Sequence, residues 1–454
     1  MDDRINYNYK KKAIHKIFLS IIPIILLLTC GTPEEKNSKP SIATINIKGR
    51  IQIAEIKYTG PPAQSWIVSG IRDTVTNDLG KIKEVSAISI EDQREAFKLI
   101  ALKQKTGVNV DASIEAAKIL AADYLCVGNL QNTGKTLRLN IRLLKSPDFS
   151  AEQSTTIDGT LDEIFTLQDK VVESLLANVD AKMTPEERLV IEIFTPKNKN
   201  AYELYSQGLE IQDTNPKKAL DLFLQALKLE PDYLDALNRV GNQYDSFNNF
   251  SEALNYHEKR RKILEEKGLS KHERYSETLN NMGAVYYSQG NYDLALEYYS
   301  KSKTNLGLTK TVGYATILNN IGMVYYDQGN FDLALEHYSK SKTMQEGLGL
   351  TKTNLYATTL NNIGMVYNDQ GNYDLALEHY SKSKTIREKL GLTKTDGYAT
   401  NLNNIGLVNY RQGAYCKAVE WFKKAVIIRE QIGVPGNRKN LDIAQKKCNE
   451  SKRR

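Results

Sequence analysis

Residues 314–353 read YATILNNIGMVYYDQGNFDLALEHYSKSKTMQEGLGLTKT. Leu318, Ile321, Gly322 and Tyr325 recur at i, i+3, i+4 and i+7, so they share one face of a helix. Gly329 suits the carboxyl end of that helix, where a left-handed residue closes the last turn. Asn330 is placed to cap a second helix, and Asp332 lies near its positive end. Phe331, Ala334, Leu335 and Tyr338 again share a face. Gly322 and Ala334 are small where the two helices must cross, and Tyr325 and Tyr338 fill in beside them. Such a hairpin cannot bury its apolar stripe alone, so stacked neighbours must complete the core.

Those neighbours are present. Residues 356–395 match 314–353 at 34 of 40 positions. The string Leu-Asn-Asn-Ile/Met-Gly places marker glycines at Gly283, Gly322, Gly364 and Gly406, spaced 39, 42 and 42 residues apart. Gly241 and Gly208 continue the series upstream, which gives six hairpins over residues 201–432. Leu-Gly-Leu-Thr-Lys-Thr recurs at 306, 348 and 390 as the turn between units. The Gly283 unit is three residues shorter before its turn, about 4.5 Å of helix. Leu441, Ala444 and Cys448 form a thin stripe within residues 433–454, as a capping helix would.

The pattern L-x-x-[I/M]-G-x-x-Y…G-x-[Y/F]-x-x-A-x-x-x-Y resembles the tetratricopeptide repeat. The 42-residue period is similar to the kinesin-light-chain type. The resemblance implies an all-α superhelix, a solenoid, whose first helices line a concave groove that takes a protein or an extended peptide. Opposite the buried stripe, the first helices carry Asn280, Asn281, Ala284 and Ser288; Thr316, Asn319, Asn320, Met323 and Asp327; Asn361, Asn362, Met365 and Asp369; and Asn403, Asn404, Leu407 and Arg411. Side-chain amides both donate and accept, so a column of them can hold a peptide backbone whatever its sequence. In the family the second Asn of each pair (Asn281, Asn320, Asn362, Asn404) matches the backbone- or carboxylate-clamping position. The family's carboxylate clamp has cations where this chain has Ser288, Asp327 and Asp369, and only Arg411 keeps one. The resemblance therefore implies a neutral or basic extended segment as ligand. Bonds between neighbouring repeats, or to water, are the other use of the Asn pairs.

Upstream, residues 47–182 read as a small α/β domain with a mixed sheet. Strands are expected at 51–58, 85–90, 123–129, 137–143 and 155–159. Helices are expected at 66–79, 95–105, 112–120 and 161–176. Asn132-Thr133-Gly134-Lys135-Thr136 has the ending of a phosphate-binding loop, but it lacks the earlier Gly and joins two strands, so it reads as a hairpin turn. The stretches IAEIKY, SGIRDTVTNDLGKI, AAKILAADYLCVGNLQNTGKTLRLNIRLL and DEIFTLQDKVVESL resemble the TolB-like amino-terminal domain. That resemblance implies envelope association without catalysis. Pro185, Pro196 and the KNKN run read residues 183–200 as a linker.

The amino terminus reads as an address. Lys10, Lys11, Lys12 and Lys16 precede the apolar run Ile17 to Leu28, which is short for a membrane span. Leu27-Leu28-Thr29-Cys30 resembles a bacterial lipoprotein signal. This implies cleavage after residue 29, lipidation of Cys30, a tether over 30–46 and, with Gly31 rather than Asp following, the outer membrane. Plain secretion and an uncleaved anchor are the other readings. The formal charge of +7 falls to +4 without residues 1–29. Basic and acidic residues are interspersed, without the basic stripe of a nucleic-acid binder. Of 26 Tyr, 22 lie beyond residue 200. Tyr286, Tyr325, Tyr367, Tyr299, Tyr338 and Tyr380 are expected in the repeat core. Tyr287, Tyr326 and Tyr410 are expected at the groove edge. His337 and His379 recur at one outer position without a completing metal-ligand cluster. Cys416 and Cys448 can pair if the cap folds onto the last repeat.

With no nucleophile–base pairing visible, and with neither cofactor nor metal expected, these features describe a non-catalytic, lipid-anchored scaffold of the cell envelope. The second reading is a sensing or assembly module. There the TolB-like domain binds the partner and the repeats mediate self-association.

Overall fold

The computed structural model describes residues 48–90, 93, 96, 111–307, 311–434, 436 and 438–453, all within one compact unit spanning residues 47–454. The signal, Cys30, the tether and, apart from Ala96, the helix expected at 95–105 lie outside the described residues.

Five strands form one sheet in the order β2-β1-β3-β4-β5. They are β1 (Gly49–Thr59), β2 (Val85–Ala87), β3 (Tyr124–Asn132), β4 (Leu137–Lys145) and β5 (Ser150–Gly159). β1 runs parallel to β2 and β3, and β3, β4 and β5 form an antiparallel meander. The β3–β4 connection is the hairpin expected at Thr-Gly-Lys. Gly134 has φ +86°, and Asn132 Oδ1 accepts its N–H at 2.7 Å. Helices α1 (Trp66–Leu79) and α3 (Ile164–Asn178) cover one face of the sheet, with Ile67, Ile71, Val75, Leu167 and Val171 in the core. Helix α2 (Ala112–Ile119) lies over the other face, where Ala117 joins Ala54, Leu125 and Leu144.

The segment read as a linker is not one. Pro185–Phe194 is helix α4. Pro185 sits at its first position, where proline starts a helix rather than breaking it. Thr184 and Glu187 form a capping box, with Thr184 N–H donating to Glu187 Oε2 at 2.8 Å. Ile191 and Phe194 are buried. Lys81 and Arg274 both lie over the Phe194 ring, at 4.6 and 5.8 Å.

Beyond it, the described residues form six helical hairpins and a final helix. The pairs are α5 (Lys199–Ile211) with α6 (Pro216–Leu229), α7 (Leu234–Ser246) with α8 (Phe250–Glu266), and α9 (Glu273–Ser288) with α10 (Tyr292–Leu306). They continue with α11 (Val312–Asp327) and α12 (Phe331–Gly347), then α13 (Asn354–Asp369) and α14 (Tyr373–Lys389). The last pair is α15 (Asp396–Arg411) and α16 (Tyr415–Gln431), followed by α17 (Arg438–Lys452).

Gly329 closes α11 at φ +78°, with Asn330 N–H returning to the Tyr325 carbonyl at 2.8 Å. Asn330 Oδ1 caps α12. At Gly322 an added Cβ would stand 2.7 Å from the Tyr338 ring, so glycine is what lets the two helices cross so closely. A buried Ser hydroxyl one turn further on, Ser302, Ser341 or Ser383, donates to a first-helix carbonyl at 2.7 Å.

Tyr299, Tyr338 and Tyr380 are core. Tyr286, Tyr325 and Tyr367, expected in the core, are only half-buried. They lie at the hairpin's outer seam, where they pack on Tyr298, His337 and His379 at 5.1 to 5.6 Å. The two histidines are thus half-buried packing residues, and burial lowers the pKa of both.

In the Gly241 unit the core aromatic is His257, fully buried, with neither ring nitrogen hydrogen-bonded. Burial, and then Arg260, push its pKa down to about 3. The folded state therefore holds His257 neutral, while the unfolded chain protonates it below its ordinary pKa of about 6.5. Its contribution to stability is present above that pH and falls by about 1.4 kcal/mol per pH unit below it. His257→Phe, which places there the residue type found at the matching Phe422, is expected to reduce the slope of stability between pH 6.5 and 4 by about 1.4 kcal/mol per pH unit. Urea midpoints across that range check this.

Candidate functional site

The first helices of the repeats present the groove face, and the structure shows what their side chains do there. Asn281 Nδ2 donates to Asn238 Oδ1 at 3.0 Å, Asn320 to Asn280 at 3.1 Å, and Asn362 to Asn319 at 3.3 Å. Asn404 and Asn401 both donate to Asn361, at 3.3 and 3.1 Å. Asn440 of the cap closes the series on Asn403 at 3.3 Å. The second Asn of each pair thus reaches back to an Asn of the preceding unit. Asn319, Asn361, Asn403 and Asn404 are buried by this ladder, while Asn280, Asn281, Asn320 and Asn362 stay half-exposed. For the buried members the bond between repeats, not the ligand clamp, is the observed use.

Asn361→Ala would strand two buried donors at once, which costs about 1–3 kcal/mol. It is expected to destabilise the array more than Asn319→Ala, which strands one. Chemical denaturation of both variants checks the order.

A second ladder runs at the groove edge. Tyr287 OH donates to Asp327 Oδ2 at 2.5 Å, and Tyr326 OH to Asp369 Oδ2 at 2.6 Å. Arg411 Nη1 donates to Asp369 Oδ1 at 2.8 Å and to the Asn368 carbonyl at 2.9 Å. Ser288 bonds Asp245 in the same way one unit earlier. The Tyr–Asp and Ser–Asp rungs each join the residue four past one marker glycine to the residue five past the next. Tyr287 and Tyr326, expected at the groove edge, tie neighbouring repeats together. Arg411, the one cation at a clamp position, is already paired. Asp327 titrates above the usual carboxylate range because burial outweighs the Tyr287 bond. Between the two ladders Ala284, Met323 and Met365 remain half-exposed on the floor, while Leu407 is buried.

The amino-terminal end of the groove is occupied. In the Gly208 and Gly241 units the positions of the Asn pair hold Tyr205-Ser206 and Asn238-Arg239. Helix α1 of the α/β domain lies against them. Asp73, buried on α1, accepts from Tyr205 OH and from Arg239 Nη2, each at 3.0 Å. Arg274 Nη2 reaches Asn77 Oδ1 one turn further along α1, at 3.3 Å. Tyr202 packs edge-on against Trp66 and accepts a hydrogen bond from Gln168. At Gly70 an added Cβ would meet Ser206 and the Tyr202 hydroxyl at 2.4 Å. Behind this contact, burial alone would raise the Glu277 carboxyl, but Arg260 and Arg274 hold it down at about 2. Sequence reasoning missed this docking. Its trace was there: Tyr205 and Arg239 stand at positions of the Asn pair in these two units.

The opposite end is closed by α17. Its Ala444 and Cys448 are buried, and a Cys416–Cys448 disulfide ties it to α16. The open groove therefore spans the Gly283, Gly322, Gly364 and Gly406 units. Elsewhere a cavity of about 230 Å³ lies between α3 and α4, walled by Val172 and Ile191. On its rim Arg188 is paired with Glu173 at 2.8 Å. Among the described residues no group of three or more His, Cys, Asp or Glu could hold a metal ion. No helix there is long and apolar enough to cross a membrane.

Among known proteins, a "Putative adenylate cyclase 3" of Rhizobium meliloti (strain 1021) is 23% identical over 203 residues, 44% of this chain and 32% of that protein. The match thus spans about a third of the curated relative's length. BtubC (BKLC) from P. vanneervenii is similar over 55% of this chain and 93% of its own, at 18% identity and a TM-score of 0.41. A "Podosopora anserina putative kinesin light chain" structure with nearly identical TPR-like repeats is similar over 45% of this chain and 97% of its own, at 14% identity and a TM-score of 0.38. The tetratricopeptide-repeat family matches residues 232–306, 274–347 and 355–431, and over those residues the hairpins are tetratricopeptide repeats.

Proposed function

We propose that this chain is a non-catalytic, lipid-anchored adaptor of the bacterial cell envelope. It holds an extended segment of a partner protein along the open groove. The observation that carries the reading is the floor between the two ladders. Met323 and Met365 are half-exposed in a groove whose Asn pairs are bonded from repeat to repeat and whose edge charges are paired. Methionine is flexible and polarisable, so it suits an adaptable binding floor. The half-exposed amides of Asn320 and Asn362 flank it and keep acceptor capacity for a backbone. With Arg411 paired, the ligand best suited is neutral or weakly basic and needs no terminal carboxylate.

The envelope reading rests on the apolar run before Cys30 and gains support from the disulfide, since such bonds persist in oxidising compartments. The alternative, self-association through the repeats, has no free array end to use: α1 covers one and α17 the other.

The test uses the full chain. Wild type is expected to retain a discrete protein from an envelope extract, and Met323→Glu/Met365→Glu to lose it at unchanged thermal stability. Retention by the double variant would sink the reading.

A further inference from the structure

The two edges of the sheet differ. β2 has 3 residues, and so short an edge gives an incoming strand little to pair with. β5 has 10 residues. It contains neither Pro nor Lys, the residues that commonly blunt an edge. Its register with β4 runs unbroken from Gln153 to Gly159, and among the described residues no strand pairs its outer side. The face that β4 and β5 turn to solvent is polar and self-neutralised. Arg138 is bidentate on Asp158 at 2.7 and 3.1 Å, and Thr156 Oγ1 donates to Asn140 at 2.7 Å. Arg142 is the exception: it is exposed, and the residue across from it on β5 is the neutral Ser154.

We propose that β5 pairs antiparallel with β5 of a second copy of this chain about a two-fold axis at Thr156. In that register Thr156 faces its own counterpart, and Ser154 of each copy faces Asp158 of the other. Arg142, beside Ser154, then lies two strands from the second copy's Asp158, on the same face. Two strand spacings are about 9.6 Å, which the arginine and aspartate side chains bridge together. Each Asp158 is thereby flanked by two guanidinium groups, Arg138 of its own copy and Arg142 of the other. The arrangement occurs twice, as a two-fold interface requires. An axis at Thr155 or Ile157 moves Asp158 off Ser154 and loses the contact. The pairing rests on the α/β domain alone and is independent of the groove.

The test measures self-association of the full chain by sedimentation at micromolar concentrations, together with cysteine cross-linking under mild oxidation. Wild type is expected to dimerise reversibly. Thr156→Cys, on the axis, is expected to link into covalent dimers several-fold more than Ser154→Cys, which is off it. Arg142→Glu, which sets a carboxylate against Asp158 at both ends of the interface, is expected to weaken the dimer about tenfold. A wild type that stays monomeric overturns the proposal. So does equal linking of the two cysteine variants, which would place any dimer on another surface.

Discussion

Asp73→Ala is expected to destabilise the chain by about 1–3 kcal/mol, because it removes a buried acceptor that two side chains of the hairpins share. Arg239 and Tyr205 both donate to this carboxylate, and the Arg239 and Asp73 side chains are only 17% and 5% exposed. Removing the carboxylate takes one charged acceptor from both donors in a site with little water to replace it. The loss should surface as uncoupling. The α/β domain and the first two hairpins would exchange amide protons faster, while the hairpins from α11 onward would hold. Replacing both partners, as Asp73→Leu/Arg239→Met, removes the charge together with its counter-charge. It should recover most of the loss, since a buried ion pair is often no better than an apolar pair of similar volume. Urea unfolding of both variants checks the sign. A single variant within about 0.5 kcal/mol of wild type would show that α1 is not held by this contact.

The second large effect is at the other end of the array. Cys448→Ser removes a bond between residues 32 apart in sequence, and closing a loop of that size is worth about 3–4 kcal/mol. The cap depends on it. Among the described residues of α17 only Asn440, Ala444 and Cys448 are buried, too little apolar area to hold the helix alone. The variant, or the reduced wild type, should lose exchange protection over residues 438–452 and expose Asn403, the last member of the amide ladder. Unchanged protection there would mean that packing, not the disulfide, holds the cap.

Much of this fold could be read from periodicity. The hairpins follow from recurring glycines and aromatics, and their observed turns, caps and close crossings answer to the same residues. The strands at 85–90 and 137–143 followed from alternation, and β3 from a short apolar run between turn signals. Residues 183–200 misled because proline both breaks helices and starts them. Only the Thr184–Glu187 capping box distinguishes the two. The groove was legible as a face but not as chemistry. A repeated Asn pair reads the same whether it faces a ligand or the next repeat; the choice depends on the spacing between units, which no single repeat encodes. The Tyr–Asp rungs are likewise contacts between residues about 40 apart, beyond any helical period. The docking of α1 joins Asp73 to Arg239, 166 residues apart, and depends on tertiary packing alone.

The central claim is that the open part of the groove, between the Asn ladder and the Tyr–Asp ladder, is where a partner segment lies. It is tested most directly by placing a photo-crosslinking residue, p-benzoylphenylalanine, at Met323, at Met365 and at the outer-face Lys340 of the full chain in cells. The account predicts one discrete crosslinked partner from Met323 and Met365 and none from Lys340. Crosslinking from Lys340 but not from the two floor positions would contradict it.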